Sequence, residues 1–267
     1  MVLDEAVINK LAEEILNAES SRTFLPSISK RYPGFTVEDA YKIQMKLMEK
    51  RVRLGEKVVG WKAGLTSKVA QQHYGVSEPD FGFITDKMIV QEGEQIDLSE
   101  LGNPSFEGAE IAFLLKDDLR GPGVNVAEVL KATEGVLPCI EIISGWMEKT
   151  EKFNIRDSIA HNGNAGRFVL GGKITPIQDI DLRLVGVVLE LNGEIVATAA
   201  GAAALGNPAH VVAWLANKLA TFNAKLCAGQ IIATGTLIGG IEPKPGDVFK
   251  VTFDRLGTVV AKMKKVK

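Results

Sequence analysis

The chain opens on two stretches with helical spacing. Apolar Val7, Leu11 and Ile15 recur every fourth residue, which predicts a helix over 3–18. A second helix follows in TVEDAYKIQMKLMEKRVRLGE. Thr36 suits its N-cap, Glu38 and Asp39 its first turn, and Gly55 its stop. Residues 1–55 therefore read as a small helical N-terminal part.

From KVVGWKAGL onward the pattern changes to short β-like runs. These are AEIAFLL, PCIEIIS, RFVLGG, LRLVGVVLELNGEIVATA, QIIATGTL and DVFKVTFDRLGTVVAKMKK, several of them bounded by Gly, Pro or Asn. Asn192-Gly193 between alternating strands predicts a hairpin, and DVFKVTFDRLGTVVAKM predicts another. NPAHVVAWLANKLATF predicts a helix opening at Asn207 with Pro208 in its first turn, and NVAEVLKATEGV predicts one more. Residues 56–267 thus read as one β-rich catalytic domain with a rolled or barrel-like mixed sheet, and the whole chain as α+β. Strands and helices do not alternate regularly, which disfavours a doubly wound sheet.

Composition narrows the partners. Thirty-one Lys and Arg against 33 Asp and Glu leave a formal charge of −2, so nothing favours nucleic acid or an anionic membrane. No run of 18 apolar residues occurs, so no membrane span is expected. The first residues lack a basic start and a continuous apolar run, so they read as an amphipathic helix rather than a signal peptide. Cys139 and Cys227, both in apolar surroundings, read as free thiols. A cytoplasmic enzyme acting on a small molecule fits these features.

Candidate chemistry gathers at a few positions. Glu107 and Glu110 stand at the entrance of the apolar run IAFLL, and Glu141 stands inside LPCIEIIS. A carboxylate in such a run is costly unless paired or bound to a cation, and hard divalent cations take oxygen ligands. Two readings stand here: three metal ligands, or a loop residue at Glu107 with Glu141 paired to a lysine or arginine. Lys62, in the apolar run VVGWKAGL, is either an ion-pair partner or an active-site cation. Asp80 in SEPDFG reads as a turn former, or as an acid or base. Thr234 and Thr236 flank Gly235 at a strand end, where a ligand carboxylate could approach the backbone or where a strand simply ends. No Walker pattern and no GxGxxG is present, and His73, His161 and His210 lack zinc-ligand spacing.

Taken together, VEDAYKIQ, VVGWKAGLTSKVAQQHYGVSEPDFGFITD, EIAFLLKDDLRGPGV, LPCIEII, GAAALGNPAHVVAWLANKLA and AGQIIATGTL span nearly the whole chain in order. They resemble the 2-hydroxypentadienoate (2-keto-4-pentenoate) hydratases and 4-oxalocrotonate decarboxylases of aromatic meta-cleavage pathways, within the fumarylacetoacetate hydrolase superfamily. GPGVNVAEVLKATEGVLPCIE and ATGTLIGGIEPKPGD bring the chain nearer the hydratases.

The resemblance implies a mixed β-roll and a Mg²⁺ or Mn²⁺ site held by Glu107, Glu110 and Glu141. It implies Lys62 and Asp80 as catalytic groups, and Thr66, Ser67, Thr234 and Thr236 as substrate-binding positions. Arg167, in NAGRFVLGG, would meet the second carboxylate of a decarboxylase substrate. The implied reaction is hydration of 2-hydroxypenta-2,4-dienoate to 4-hydroxy-2-oxopentanoate. The alternative is decarboxylation of 2-oxohex-3-enedioate, and a third reading is a metal-less structural partner. A homo-oligomer, associated with a sister pathway enzyme, is the implied assembly.

Three departures from the family pattern stand out. The family's Pro-Arg-x-Glu-x-Glu becomes Pro-Ser-Phe-Glu-Gly-Ala-Glu, with one residue extra. In a regular strand that spacing sends Glu107 and Glu110 to opposite faces, so a bulge at Gly108-Ala109 is required for both to serve. Val-Asp-Ser-Arg becomes Ile143-Ser144-Gly145-Trp146, and Ala-Asp-Asn-Ala becomes Ala160-His161-Asn162-Gly163, which puts a histidine in an altered pocket.

Overall fold

A computed structural model describes residues 3–149 and 153–266. Local signals set its N-terminal helices. In α1 (Glu5–Ser21), Asp4 caps the start by accepting the Val7 N–H, and Ile8, Leu11, Ala12, Ile15 and Ala18 form the buried face. After the single turn α2 (Ile28–Arg31) comes α3 (Val37–Arg53). Thr36 and Asp39 close a reciprocal capping box on α3, and Gly55 just beyond it takes φ +94°. The buried faces of α1 and α3 pack on each other.

The remaining elements run in chain order. First are β1 (Val58–Gly64), α4 (Lys68–Tyr74), β2 (Asp80–Thr85), β3 (Ile89–Val90) and β4 (Gln95–Ile96). Next are β5 (Ser105–Phe106), β6 (Glu110–Leu115), α5 (Val126–Ala132), β7 (Thr133–Ile143), α6 (Ile155–Ala160) and β8 (Arg167–Leu170). Last are β9 (Gly186–Leu191), β10 (Glu194–Ala200), α7 (Pro208–Ala220), β11 (Ile231–Ala233), β12 (Val248–Phe253) and β13 (Gly257–Met263).

Two sheets result. The larger has the order β2-β1-β11-β6-β7-β8-β3, with β5 also on β7, and curls into a half-barrel. It is mixed, because β1 pairs β11 in parallel while β6 pairs both β11 and β7 antiparallel. The smaller sheet has the order β10-β9-β12-β13-β4. The two meet through stacked Phe106 and Phe249, whose ring centres lie 4.6 Å apart. Both expected hairpins form, with Asn192 and Gly193 at positive φ in the first. The class is α+β of the expected rolled type, with a helical start.

The structure corrects two local expectations and adds two short helices. TEGV at 133–136 leaves the helix and begins β7. A Cβ on Gly135 would come within 2.6 Å of the Ile174 side chain, and Val136 pairs with Thr175, so a distant segment decides its conformation. Asp80 is the first residue of buried β2 rather than a turn residue. Helices α4 and α6 carry too few residues for a periodic signal.

Candidate active site

The carboxylates meet because the strand bulges. Phe106 faces Ile142 and Glu110 faces Cys139 on β7. Three residues lie between the two positions on one strand and only two on the other. The Glu107 N–H donates to the Glu141 carbonyl at 3.1 Å, and the Glu141 N–H donates to the Gly108 carbonyl at 3.3 Å. Glu107 and Gly108 together therefore oppose Glu141, one residue earlier than the expected Gly108-Ala109, and Ala109 is already paired with Ile238. A Cβ on Gly108 would fall on the Glu141 backbone nitrogen and within 2.9 Å of its Cβ, so glycine is required for this approach. With the extra residue absorbed, Glu107, Glu110 and Glu141 share one face, since Glu141 is two residues from Cys139.

The same face carries the other charged groups. Lys62 pairs with Ala233, and Ala233 with Ala112, whose small side chains leave room for a lysine. Across β2, Lys62 faces Gly82 and Gly64 faces Asp80. Lys62 Nζ stands 3.5 Å from Glu141 Oε1, and both residues are buried. A Cβ on Gly64 would fall on Asp80 Oδ1, and one on Gly163 would come within 2.9 Å of Lys62 Cε, so both glycines clear space for charged side chains. Glu107 accepts from Ser105 Oγ at 2.9 Å, and Glu110 accepts the Gly235 N–H at 2.7 Å.

Four acids thus surround one buried ammonium, three of them buried and Glu107 half-buried. Burial raises the Asp80 carboxyl, against the pull of Lys62. Burial also raises Glu107. Glu110 is pushed well up by burial and then by the charge of Glu141. Burial likewise raises Glu141, with Lys62 opposing and Glu107 adding. For Lys62 burial works to lower the ammonium, but the four carboxylates outweigh it and the net direction is upward. Glu110 Oε1, Asp80 Oδ1 and Thr66 Oγ1 are buried with no hydrogen-bond partner; Glu141 Oε1 likewise has only the longer Lys62 contact. A divalent cation fits this donor set, since hard cations take carboxylate oxygens and one lysine cannot balance four acids. Among the described residues no three acids, histidines or cysteines close into a finished metal cage. The glutamates share a face, each with its own protein partner.

The other expected positions separate. Thr236 lines the pocket of about 110 Å³ that Lys62, Asp80, Glu107 and Glu141 also line. The hydroxyl of Thr66 lies against Gly235. The Thr234 hydroxyl donates to the Ile111 carbonyl at 2.7 Å, and the Ser67 hydroxyl caps α4 by accepting the Ala70 N–H at 3.0 Å. Both are engaged by backbone rather than turned to the pocket. Arg167 is a correction. It faces Ile142, hence the opposite side of the sheet from Glu141, and stands 3.5 Å from Glu100. His161 is also elsewhere, accepting the Trp146 N–H at 3.2 Å and standing 3.6 Å from Glu19. Sequence reasoning missed Tyr74, Phe153, Ser158 and Asn164, which complete the wall. One signal was available in the sequence, the turn-forming run Asn162-Gly163-Asn164; all three take positive φ, and the Asn162 side chain clamps both backbone groups of Phe83.

Comparison with known proteins agrees with this geometry. Residues 57–264 match the family model described as fumarylacetoacetate (FAA) hydrolase C-terminal. A 2-hydroxypent-2,4-dienoate hydratase of Pseudomonas putida is 44% identical over 82% of this chain and 99% of its own. A 4-oxalocrotonate decarboxylase of Pseudomonas sp. (strain CF600) is 41% identical over 94% of this chain and 95% of its own. The structure of a 4-oxalocrotonate decarboxylase from Pseudomonas putida G7, complexed with magnesium and adipate, superposes with a TM-score of 0.93 at 37% identity, covering 98% of both chains. With a strand bulge that gathers three glutamates beside a buried lysine, and such relatives matching 82–98% of its length, the chain belongs to the fumarylacetoacetate hydrolase family, in its branch of hydratases and decarboxylases.

Proposed function

We propose that the protein is a metal-dependent hydratase that converts 2-hydroxypenta-2,4-dienoate to 4-hydroxy-2-oxopentanoate. The observation that carries this reading is the bulge that brings Glu107, Glu110 and Glu141 to one face beside Lys62. Those three glutamates would hold Mg²⁺ or Mn²⁺. Bound there, the cation would supply Lewis acidity to the 2-oxo acid.

The chain's own groups then have separable tasks. In the reaction the 2-hydroxyl proton leaves and C5 gains one, which makes the C3–C4 alkene electrophilic. Water adds its oxygen to C4, and C3 takes up a proton. The buried Lys62 ammonium stabilises negative charge developing on the 2-oxygen. Asp80, with a raised pKa and a carboxylate oxygen free of hydrogen bonds, is the group suited to moving the protons. Thr66 and Thr236 offer hydroxyls to the substrate carboxylate. Residues 56–267 would form the catalytic domain on which residues 1–55 pack as a helical part.

A second reading, decarboxylation of 2-oxohex-3-enedioate, is favoured by the likeness to the decarboxylase solved with magnesium and adipate. A paired assay separates the two on metal-free and Mg²⁺-loaded protein. Metal-dependent loss of dienoate absorbance without CO₂ supports the hydratase. CO₂ from the diacid supports the decarboxylase, and silence on both refutes each. We further propose a cytoplasmic homo-oligomer that associates with a sister pathway enzyme. Among the described residues no helix is long and apolar enough to cross a membrane. Light scattering tests the assembly.

A further inference from the structure

Strand β2 stands at the edge of the larger sheet, so one side of its backbone has no neighbouring strand. The strand is buried, and side chains take the polar groups that a partner strand would have taken. Asn162 engages the N–H and the carbonyl of Phe83 at 2.8 and 2.9 Å. Gln44 engages the carbonyl of Phe81. Its Nε2 donates there at 2.7 Å, and also to the Ile159 carbonyl, near the C-terminal end of α6, at 3.0 Å. Gln44 comes from α3, in the helical part, and is fully buried.

The two carbonyls belong to the segments that enclose Lys62. Phe81 directly follows Asp80, and Ile159 lies three residues before the turn 162–164. A Cβ on Gly163 would come within 2.9 Å of Lys62 Cε and 3.5 Å of the Phe81 carbonyl oxygen, so turn, lysine and strand meet at one point. A Cβ on Gly64 would fall on Asp80 Oδ1 and within 3.6 Å of Lys62 Nζ. Ser158 and Asn164, on either side of Ile159, line the inner pocket, whereas Gln44 does not. Nearly one turn earlier on α3, Tyr41 stacks on the Phe81 ring, with centres 4.3 Å apart and planes 14° apart. Gln44 Oε1 is buried with no partner, a cost that an apolar side chain would avoid, so what the amide contributes is its two N–H bonds.

We propose that Gln44 is a positioning residue for the reaction at Lys62 and Asp80, its amide fastening β2 to the 159–164 segment so that acid and ammonium keep their spacing. The inference rests on the reading of Lys62 and Asp80 as the reacting groups. It gives the helical part a share in catalysis without contact with the substrate.

Gln44→Met keeps the length of the side chain and removes both donors. Mg²⁺-loaded protein is assayed with 2-hydroxypenta-2,4-dienoate, or with 2-oxohex-3-enedioate where the parent turns that over. The variant's kcat should fall by about 10–100-fold, the scale of a small misplacement of reacting groups, with KM within about 3-fold. Leu47→Ala, a buried cut on the same face of α3, should lower melting at least as far and leave kcat within about 2-fold. In an Asp80→Asn background the effect of Gln44→Met should shrink to about 3-fold or less, because residues that act as a unit are not additive. Gln44→Glu covers the case in which Gln44→Met does not fold. Its carboxyl donates when protonated and repels both carbonyl oxygens when ionised, so its kcat relative to the parent should fall by about 10-fold between about pH 6 and 9. Parental kcat in Gln44→Met, an equal loss in Leu47→Ala, an undiminished effect in the Asp80→Asn background, or a Gln44→Glu ratio that is flat with pH overturns the inference while the catalytic reading stands. Parental kcat in Asp80→Asn overturns that reading and this inference with it.

Discussion

Gly108→Ala is the sharpest test of the bulge. The new Cβ would fall on the Glu141 backbone nitrogen, 2.9 Å from Glu141 Cβ and 3.0 Å from its Cα. None of these is the end of a flexible side chain, so either β7 retreats or the bulge opens. Overpacking of this kind costs about 1–3 kcal/mol. For a chain of 267 residues, taking roughly 2–4 °C per kcal/mol, melting should fall by about 2–12 °C. The displacement falls on the backbone that orients Glu107 and Glu141, so Mg²⁺ affinity should drop by about 10–100-fold, the scale seen when the support of metal ligands is disturbed. Scanning calorimetry and a Mg²⁺ isotherm read the two effects separately. Deletion of Gly108 supplies the second arm. It restores Glu-x-Glu spacing, returns both side chains to one face of a regular strand, and should keep metal affinity within a few-fold of the parent. Normal melting and normal affinity in Gly108→Ala would refute the argument, and so would loss of metal binding in the deletion alone.

Other expectations follow from the same geometry. Lys62→Met removes the one ammonium that faces buried Asp80, Glu110 and Glu141 and half-buried Glu107, and should lower kcat by about 10²–10³-fold in a dienoate assay. Asp80→Asn preserves shape but removes the proton carrier, so kcat should fall by about 10²–10⁴-fold with near-parental melting. Thr36→Ala breaks the capping box of α3 and should cost about 1 kcal/mol in denaturant unfolding with turnover unchanged. His161 is held below its usual range by burial, against the pull of Glu19. The unfolded chain therefore takes up that proton first. His161's contribution to stability should be complete above the unfolded pKa near 6.5 and decline as pH falls from there toward the folded value. Urea unfolding of the parent and His161→Gln at pH 7.5 and 5 should show a smaller pH dependence in the variant, and an equal dependence in both would refute it.

What the sequence alone determined is what depends on near neighbours. The cap at Thr36, the Asn207-Pro208 start of α7 and the Asn192-Gly193 hairpin are read within a few residues, and each forms as expected. The extra residue before Glu110 already required a bulge, because a strand alternates with period two. Tertiary structure alone decided which face each side chain meets and what stands opposite. Arg167 is one position out of phase with Glu141's partner Phe168, and the β7–β8 register turns it from the pocket to Glu100. Thr234 and Ser67 have the right chemistry for an anion, but a backbone carbonyl and a helix start claim their hydroxyls. Asp80 becomes a buried acid only because β1 pairs beside it and Gly64 leaves it room. Tyr74 and Phe153, far apart in the chain, meet with their rings tilted because α4 and the segment before α6 converge at the pocket mouth. Register and convergence belong to contacts between distant residues, and no periodicity within either segment encodes them.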